Sequence, residues 1–324
     1  MFRTELQITP SPSKISYEDH LLSVGSCFAR AMGQRMVSNK FKALVNPFGT
    51  LYNPASIFRL LHDAVHLNLP DEDSYLQRDG IFYNYKFHSD FSAEDQEGLQ
   101  AQIEQVLTST QAQLKKSRWL IITLGTAFCY ERKEKQRIVA NCHKMPADLF
   151  EKRMLDPGEI CIRFEQLLPN LLTLNPDIQL IFTVSPVRHF RDTLVMNTVS
   201  KASLRLAVDQ LMRQYPERIS YFPSFELMID DLRDYRFYGR DMLHPTEVAE
   251  DYIWQKFAEA YMDQPTRDIT RKWEKLSRAL QHRAFQPNSA PHQQFLRKTL
   301  EELRQLPEQI DVAQEINNLE NQLS

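Results

Sequence analysis

Short apolar runs and longer amphipathic stretches alternate along most of this chain. Residues 21–24, 42–45, 118–124, 179–184 and 219–223 are runs of strand length. Two of them, around Trp119-Leu120-Ile121-Ile122 and Leu180-Ile181-Phe182, are continuously apolar, as parallel strands covered on both faces are. Helical spacing fills the gaps: Phe28, Met32 and Met36, then Leu99, Ile103, Val106 and Leu114, then Ile160, Phe164, Leu167, Leu168 and Leu171. It returns at Leu204, Ala207, Val208 and Leu211, and again at Val248, Ala249, Tyr252, Ile253 and Phe257. A further helix over 54–68 opens on Pro54. Strand–helix alternation of this kind predicts an α/β fold, a three-layer, doubly wound parallel sheet.

Two stretches break that rhythm with a period of two. Residues 75–91 alternate aromatic and polar around Asp79-Gly80, and residues 128–145 alternate around a charged tip at 131–137. Both are expected to be β-hairpins inserted beside the sheet. Residues 1–20, rich in Pro, Ser and Lys, are expected to wrap the outside. From about 262 the pattern becomes polar with sparse apolar positions (Ile269, Trp273, Leu276, Leu280, Phe295, Leu300, Leu303). Breaks at Gln264-Pro265, 285–291 and Leu306-Pro307 divide it. The chain therefore reads as an α/β domain over 1–262 and a helical extension over 263–324. That extension packs back on the core, dimerises or docks a partner; the pattern leaves all three open.

Candidate chemistry gathers at two places. The run Leu21-Leu22-Ser23-Val24 ends at Gly25-Ser26, immediately before a helix. Ser26 would then lie at the carboxyl edge of the sheet, where open α/β folds bind ligands, and at a helix N-terminus, where an anion is favoured. It is either a nucleophile or a capping serine. Cys27 beside it is a rival nucleophile. Some two hundred residues on, Asp241-Met242-Leu243-His244-Pro245 sets a carboxylate three residues before an imidazole, with Pro245 expected in the first helical turn. That is the orienting half of a Ser-His-Asp device.

With these residues in view, the chain resembles the GSCFA domain family, a branch of the SGNH (GDSL-like) hydrolase superfamily. Gly25-Ser26-Cys27-Phe28-Ala29 carries the motif. It is supported by Asn46-Pro47-Phe48-Gly49-Thr50, Leu124-Gly125-Thr126-Ala127, Asn141-Cys142-His143-Lys144, Thr183-Val184-Ser185-Pro186-Val187-Arg188-His189 and the Asp241 segment, over roughly residues 1–260. The resemblance implies a flavodoxin-like sheet and a triad of Ser26, His244 and Asp241. It implies an oxyanion hole from the amides of Ser26 and Gly49, with the Asn141 side chain as a further donor. At the end of the strand closing on Gly125, the superfamily carries Gly-x-Asn-Asp; Ala127 and Phe128 stand there instead, so the usual asparagine donor is missing. Gly49 is alternatively a turn glycine, and Asn46 alternatively a backbone cap. Asn46, Gly125, Thr126, His143, Arg188 and His189 are the candidate substrate contacts. The expected activity is a serine esterase removing or transferring an acyl group, O-acetyl on a carbohydrate by resemblance. An acyltransferase and a non-catalytic binding module on a degenerate scaffold are the alternatives.

Composition narrows the partners. The 324 residues are 42% hydrophobic and 25% charged with a formal net charge of −3. A balance of that kind gives no reason to expect nucleic acid. No run of about twenty apolar residues suggests a membrane span. Cys27, Cys129, Cys142 and Cys161 show no metal or disulfide spacing, and the first residues show no leader pattern, so a reduced, cytoplasmic protein is expected. His62 and His66 have a ligand-like i, i+4 spacing without a third partner, so no metal or organic cofactor is expected. The substrate that the resemblance implies is a small-molecule or carbohydrate ester.

Overall fold

The computed structural model describes residues 4–281, 285–286 and 288–323. In chain order the elements begin with β1 (His20–Gly25), α1 (Cys27–Ser38), β2 (Lys42–Val45), α2 (Pro54–His66), β3 (Tyr75–Arg78) and β4 (Ile81–Asn84). Next come α3 (Gln96–Lys116), β5 (Ser117–Leu124), β6 (Phe128–Arg132), β7 (Arg137–Val139), β8 (Phe150–Met154) and α4 (Pro157–Leu174). The series continues with β9 (Gln179–Val184), α5 (Thr193–Gln214), β10 (Ile219–Phe222) and a single turn, α6 (Ser224–Glu226). It ends with α7 (Glu247–Tyr261), α8 (Gln264–Leu280), α9 (Ala290–Arg304) and α10 (Ala313–Glu320).

Five parallel strands form the central sheet in the order β10-β9-β5-β1-β2. Strand period two sends alternate side chains to opposite faces. Leu22, Leu120, Ile122 and Phe182 join one core with α2, α3, α4 and α5. Leu21, Trp119, Ile121 and Ile181 join the other, with α1 and α7. That is the three-layer arrangement the alternating pattern predicts. The chain runs outward from β1 to β2, then returns to β5 on the other side of β1, so the strand order reverses between β1 and β5. Ligands of open α/β sheets bind at the carboxyl ends flanking such a reversal.

The hairpin around Asp79-Gly80 is β3–β4. The second insertion is larger than expected: β6 pairs with β7 and also, antiparallel, with β8, making a three-stranded sheet. The pattern missed β8 because Glu151-Lys152-Arg153 is polar and exposed or half-buried, so the segment lacks an apolar alternation. The C-terminal helices pack back on the core. Trp273, Leu276, Leu296, Leu300 and Leu303 share the apolar cluster of α1 and α7. Trp273 Nε1 donates to the Ser38 carbonyl at 2.7 Å, and Tyr17 and Thr270 share a buried hydroxyl bond at 2.9 Å. The leading segment also runs along α7, where Ile15 N donates to Tyr261 O at 2.7 Å. Of the sequence readings, the leader reading at residues 1–3 and part of the break at 285–291 (Pro287) lie outside the described residues. No helix among those described is long and apolar enough to cross a membrane.

One glycine fixes the junction on which the site depends. Gly25 pairs with Thr123 of β5 and has φ +137°, and a Cβ there would lie 2.1 Å from the Thr123 carbonyl oxygen. Both the conformation and the contact exclude a side chain. Gly25→Ala is expected to destabilise the fold by about 2–4 kcal/mol, read as a lowered urea midpoint with an unchanged slope.

Candidate active site

The carboxyl ends of β1, β5 and β9 meet the loop before α7, and the candidate groups gather there. β1 remains hydrogen-bonded through Gly25, and Ser26 follows as the extended N-cap of α1 (φ −68°, ψ 178°). The Ser26 amide donates to Thr123 O at 3.2 Å. Its side chain is buried: the residue is 1% exposed, the hydroxyl has no hydrogen-bond partner, and it does not cap the helix. The first side chain to emerge at the edge is therefore Cys27, half-buried at the first helical position.

His244 meets that thiol. Cys27 Sγ lies 3.6 Å from His244 Nε2, and His244 Nδ1 lies 2.6 Å from Asp241 Oδ2. The other Asp241 oxygen accepts the amides of Leu243 and His244, both at 3.0 Å. The His244 amide, the His244 ring and the Leu243 amide together hold the Asp241 carboxyl well below the usual carboxylate range. The loop is tied at its base by Gly239 N to His244 O at 2.8 Å and Thr246 N to Phe237 O at 2.8 Å. Thr246, not Pro245, opens the helix: its hydroxyl accepts from Ala249 N, and Pro245 lies one residue earlier in a bridge with Tyr238.

Three further groups face this line. Lys201 of α5 is 2% exposed, and its ammonium donates to the carbonyls of Gly125 and Ser185, each at 2.7 Å, at the ends of β5 and β9. Burial pulls its pKa down to about 7; the Cys27 thiolate acts in the opposite direction, and Arg188 lowers it further. His189, edge-on to Tyr52 with ring centroids 5.1 Å apart, is pulled down to about 4 by burial, then by Lys201 and His244, so its ring is neutral at neutral pH. Tyr52 is pushed up by burial and then by the Cys27 charge. The Cys27 thiol is itself pushed up by burial, against the opposing pull of the Phe28 amide, Lys201 and its own amide. Arg188 stacks over Phe225 at 6.0 Å.

Other expected site residues are employed elsewhere. The Gly49 amide donates to Asn46 O at 2.9 Å in a turn where Gly49 has φ +75°, so it is a turn glycine with its N–H already used. The Ser26 amide is likewise engaged with β5, and neither is free for an oxyanion. Asn46 straps the elbow, its amide nitrogen donating to the carbonyls of Gly25 (3.2 Å) and Ser26 (3.4 Å). Asn141 accepts from the His143 amide at 2.8 Å in a local turn. His143 packs against Tyr83 and Tyr85 of the first hairpin, with Nε2 on Asn84 O at 2.9 Å. The amides of Gly125 and Thr126 both donate to Tyr52 O, and the Thr126 hydroxyl bonds Ser200 at 2.9 Å. Gly125 thus enters the site through its carbonyl, as a partner of Lys201. The His62 and His66 rings lie 4.6 Å apart, tilted by 52°, with His66 on Asn170; among the described residues no group of three His, Cys, Asp or Glu side chains could hold a metal ion.

Lys201 and Tyr52 were missed from the sequence. Lys201 had a visible signal, since it falls on the same helical stripe as Leu204 and Val208, where a charge needs a polar destination. Tyr52 had none beyond its place in the loop after β2.

Comparison with known proteins agrees with the motif. No curated protein matches the chain. The model of the GSCFA family matches residues 20–257, and that of the GSCFA domain protein C-terminal domain matches residues 273–324. The chain belongs to the GSCFA family.

Proposed function

We propose that this protein is an acyl-transfer enzyme of the SGNH (GDSL-like) type in which Cys27, rather than Ser26, is the nucleophile. It hydrolyses a carboxylic ester or passes the acyl group to an acceptor hydroxyl. The observation that carries the reading is the line from Cys27 Sγ through both ring nitrogens of His244 to Asp241, with separations of 3.6 and 2.6 Å. A buried Ser26 hydroxyl with no hydrogen bond to that imidazole does not complete such a line.

Chemistry follows from the protonation states. Burial favours the neutral thiol, so Cys27 needs a base as it reacts. His244 Nε2 takes the thiol proton while Sγ attacks the carbonyl carbon. Asp241 accepts from Nδ1–H, fixing the ring and balancing the imidazolium. The tetrahedral anion collapses, the alkoxide leaves with the proton from His244, and a thioester remains on Cys27. Water, or an acceptor hydroxyl, then gives its proton to the same imidazole and attacks the thioester, restoring the thiol. The Cys27 and Phe28 amides at the start of α1 favour negative charge on the sulfur, and so does the Lys201 ammonium. These groups favour the developing thiolate; the oxyanion donors that the resemblance implied were Ser26, Gly49 and Asn141. The scheme uses no metal or organic cofactor. An O-acyl carbohydrate is the substrate favoured by resemblance to SGNH esterases.

The engaged amides of Ser26 and Gly49 favour one second reading, a non-catalytic binding module. A single experiment separates the two. The full chain is incubated with p-nitrophenyl acetate, quenched in acid and mapped by mass spectrometry. A hydroxylamine-labile acetyl group on Cys27 is the expected result; a folded protein that carries none is a binding module. In the same assay Asp241→Asn is expected to lower kcat by about 10²–10⁴-fold with little change in KM, because the ring loses the partner that sets its tautomer.

A further inference from the structure

A cavity of about 470 Å³ opens between α2, α4 and the inserted three-stranded sheet. None of its lining residues belongs to the Cys27 site. Its volume lies in the range of small-ligand pockets. Ala55, Phe58, Ile138 and Leu167 give it an apolar wall, and Gln136 and Gln166 offer amide groups.

Its polar side is unbalanced in one place. The carboxylates around it are already matched: Asp71 with Arg137 at 2.8 Å and Lys86 at 3.7 Å, Glu131 with Arg153 at 2.8 Å, and Glu159 with Arg153 at 2.7 Å and Arg163 at 2.8 Å. Arg59 is not. Its Nη1 donates to Ile138 O at 2.5 Å, but Nε and Nη2 are buried with no hydrogen-bond partner. Asp63, one turn along α2, bears on its charge, yet among the described residues Arg59 makes no ion pair. Burial pulls the Arg59 pKa down to about 10, leaving it fully charged at neutral pH. A guanidinium edge buried without acceptors is costly, and Nε with Nη2 forms the parallel fork that fits a carboxylate or phosphate bidentately.

We propose that this cavity is a second ligand site, taking a small metabolite through a phosphate or carboxylate group seated on the Nε–Nη2 edge of Arg59. Arg163, Arg137 and Lys86 line the same cavity and add positive potential. The body of the ligand lies along the Phe58–Leu167 wall.

Calorimetric titration of the full-length protein with inorganic phosphate and, separately, with malonate tests the site at constant ionic strength. One saturable event is expected with at least one of the two anions, and the stronger arm identifies the headgroup. Arg59→Lys keeps the charge but removes the fork, and should weaken binding by at least about tenfold. Arg137→Gln, at a residue with a 56% exposed side chain, should weaken it by about two- to fivefold and flatten its salt dependence without affecting folding. Arg213→Gln, on a side chain 81% exposed and outside the cavity, should bind as the parent does. The proposal is overturned if neither anion saturates, or if Arg59→Lys and Arg137→Gln both bind like Arg213→Gln.

Discussion

Cys27→Ala is expected to lower turnover of a p-nitrophenyl ester by at least about 10³-fold, whereas Ser26→Ala should leave kcat/KM within about threefold of the parent. The two residues are neighbours, so the expectation of a serine nucleophile at the elbow would reverse the order. The difference comes from the junction geometry. Gly25 stays in β1, the Ser26 hydroxyl is buried and unpartnered, and Cys27 Sγ lies 3.6 Å from His244 Nε2. Removing an unbonded buried hydroxyl leaves no new orphan, so Ser26→Ala should be neutral or slightly stabilising. Cys27→Ser should retain a small fraction of activity, because His244 can still accept a proton from a hydroxyl but the nucleophile is poorer. Steady-state kinetics on the three variants, with circular dichroism to confirm folding, decides the matter. Loss of activity in Ser26→Ala with retention in Cys27→Ala would return the hydroxyl to the role of nucleophile.

Lys201→Met should alter both stability and its pH dependence. In the unfolded chain Lys201 titrates near its ordinary value of 10.5, while in the fold burial pulls it down to about 7. Between these values the unfolded state binds more protons than the native state, so this group makes stability rise as pH increases from about 7 toward 10.5. Below about 7 both states are protonated and the destabilisation is full and constant. Lys201→Met removes that rise; urea midpoints taken at intervals from pH 6.5 to 9.5 should show a flatter profile than the parent. The same substitution leaves the Gly125 and Ser185 carbonyls without their donor, so part of the gain from deleting a buried charge is offset. Activity should fall by about tenfold near pH 6.5, where Lys201 is charged and favours an anion at Cys27, and the gap to the parent should narrow above pH 8. A constant gap across that range would assign Lys201 a purely structural part.

Sequence pattern reaches the frame of this molecule because its cause is local. A strand covered on both faces must be mostly apolar, as 119–122 and 180–182 are, and a helix on a sheet must show a stripe, as Ile160, Phe164, Leu167 and Leu171 do. The Asp241–His244 pair was legible for the same reason. Two residues three apart in one short loop meet through local geometry, and the 2.6 Å bond follows. The insertion strand β8 was not legible, since its residues are polar and its pairing with β6 spans some twenty positions.

What the amino-acid sequence alone determined was the layered α/β scaffold, the family motif and the two segments that meet at the candidate site. Which atom faces His244 was decided only in three dimensions. A strand end, an N-cap and the first helical residue aim their side chains in different directions, and a one-residue difference in where Gly25 releases the sheet exchanges serine for cysteine. Lys201 and Arg59 belong to the same category. The helical stripe marks Lys201 as a buried charge, but which carbonyls reach it, and which Arg59 atoms are left without acceptors, is set by neighbours distant in the chain.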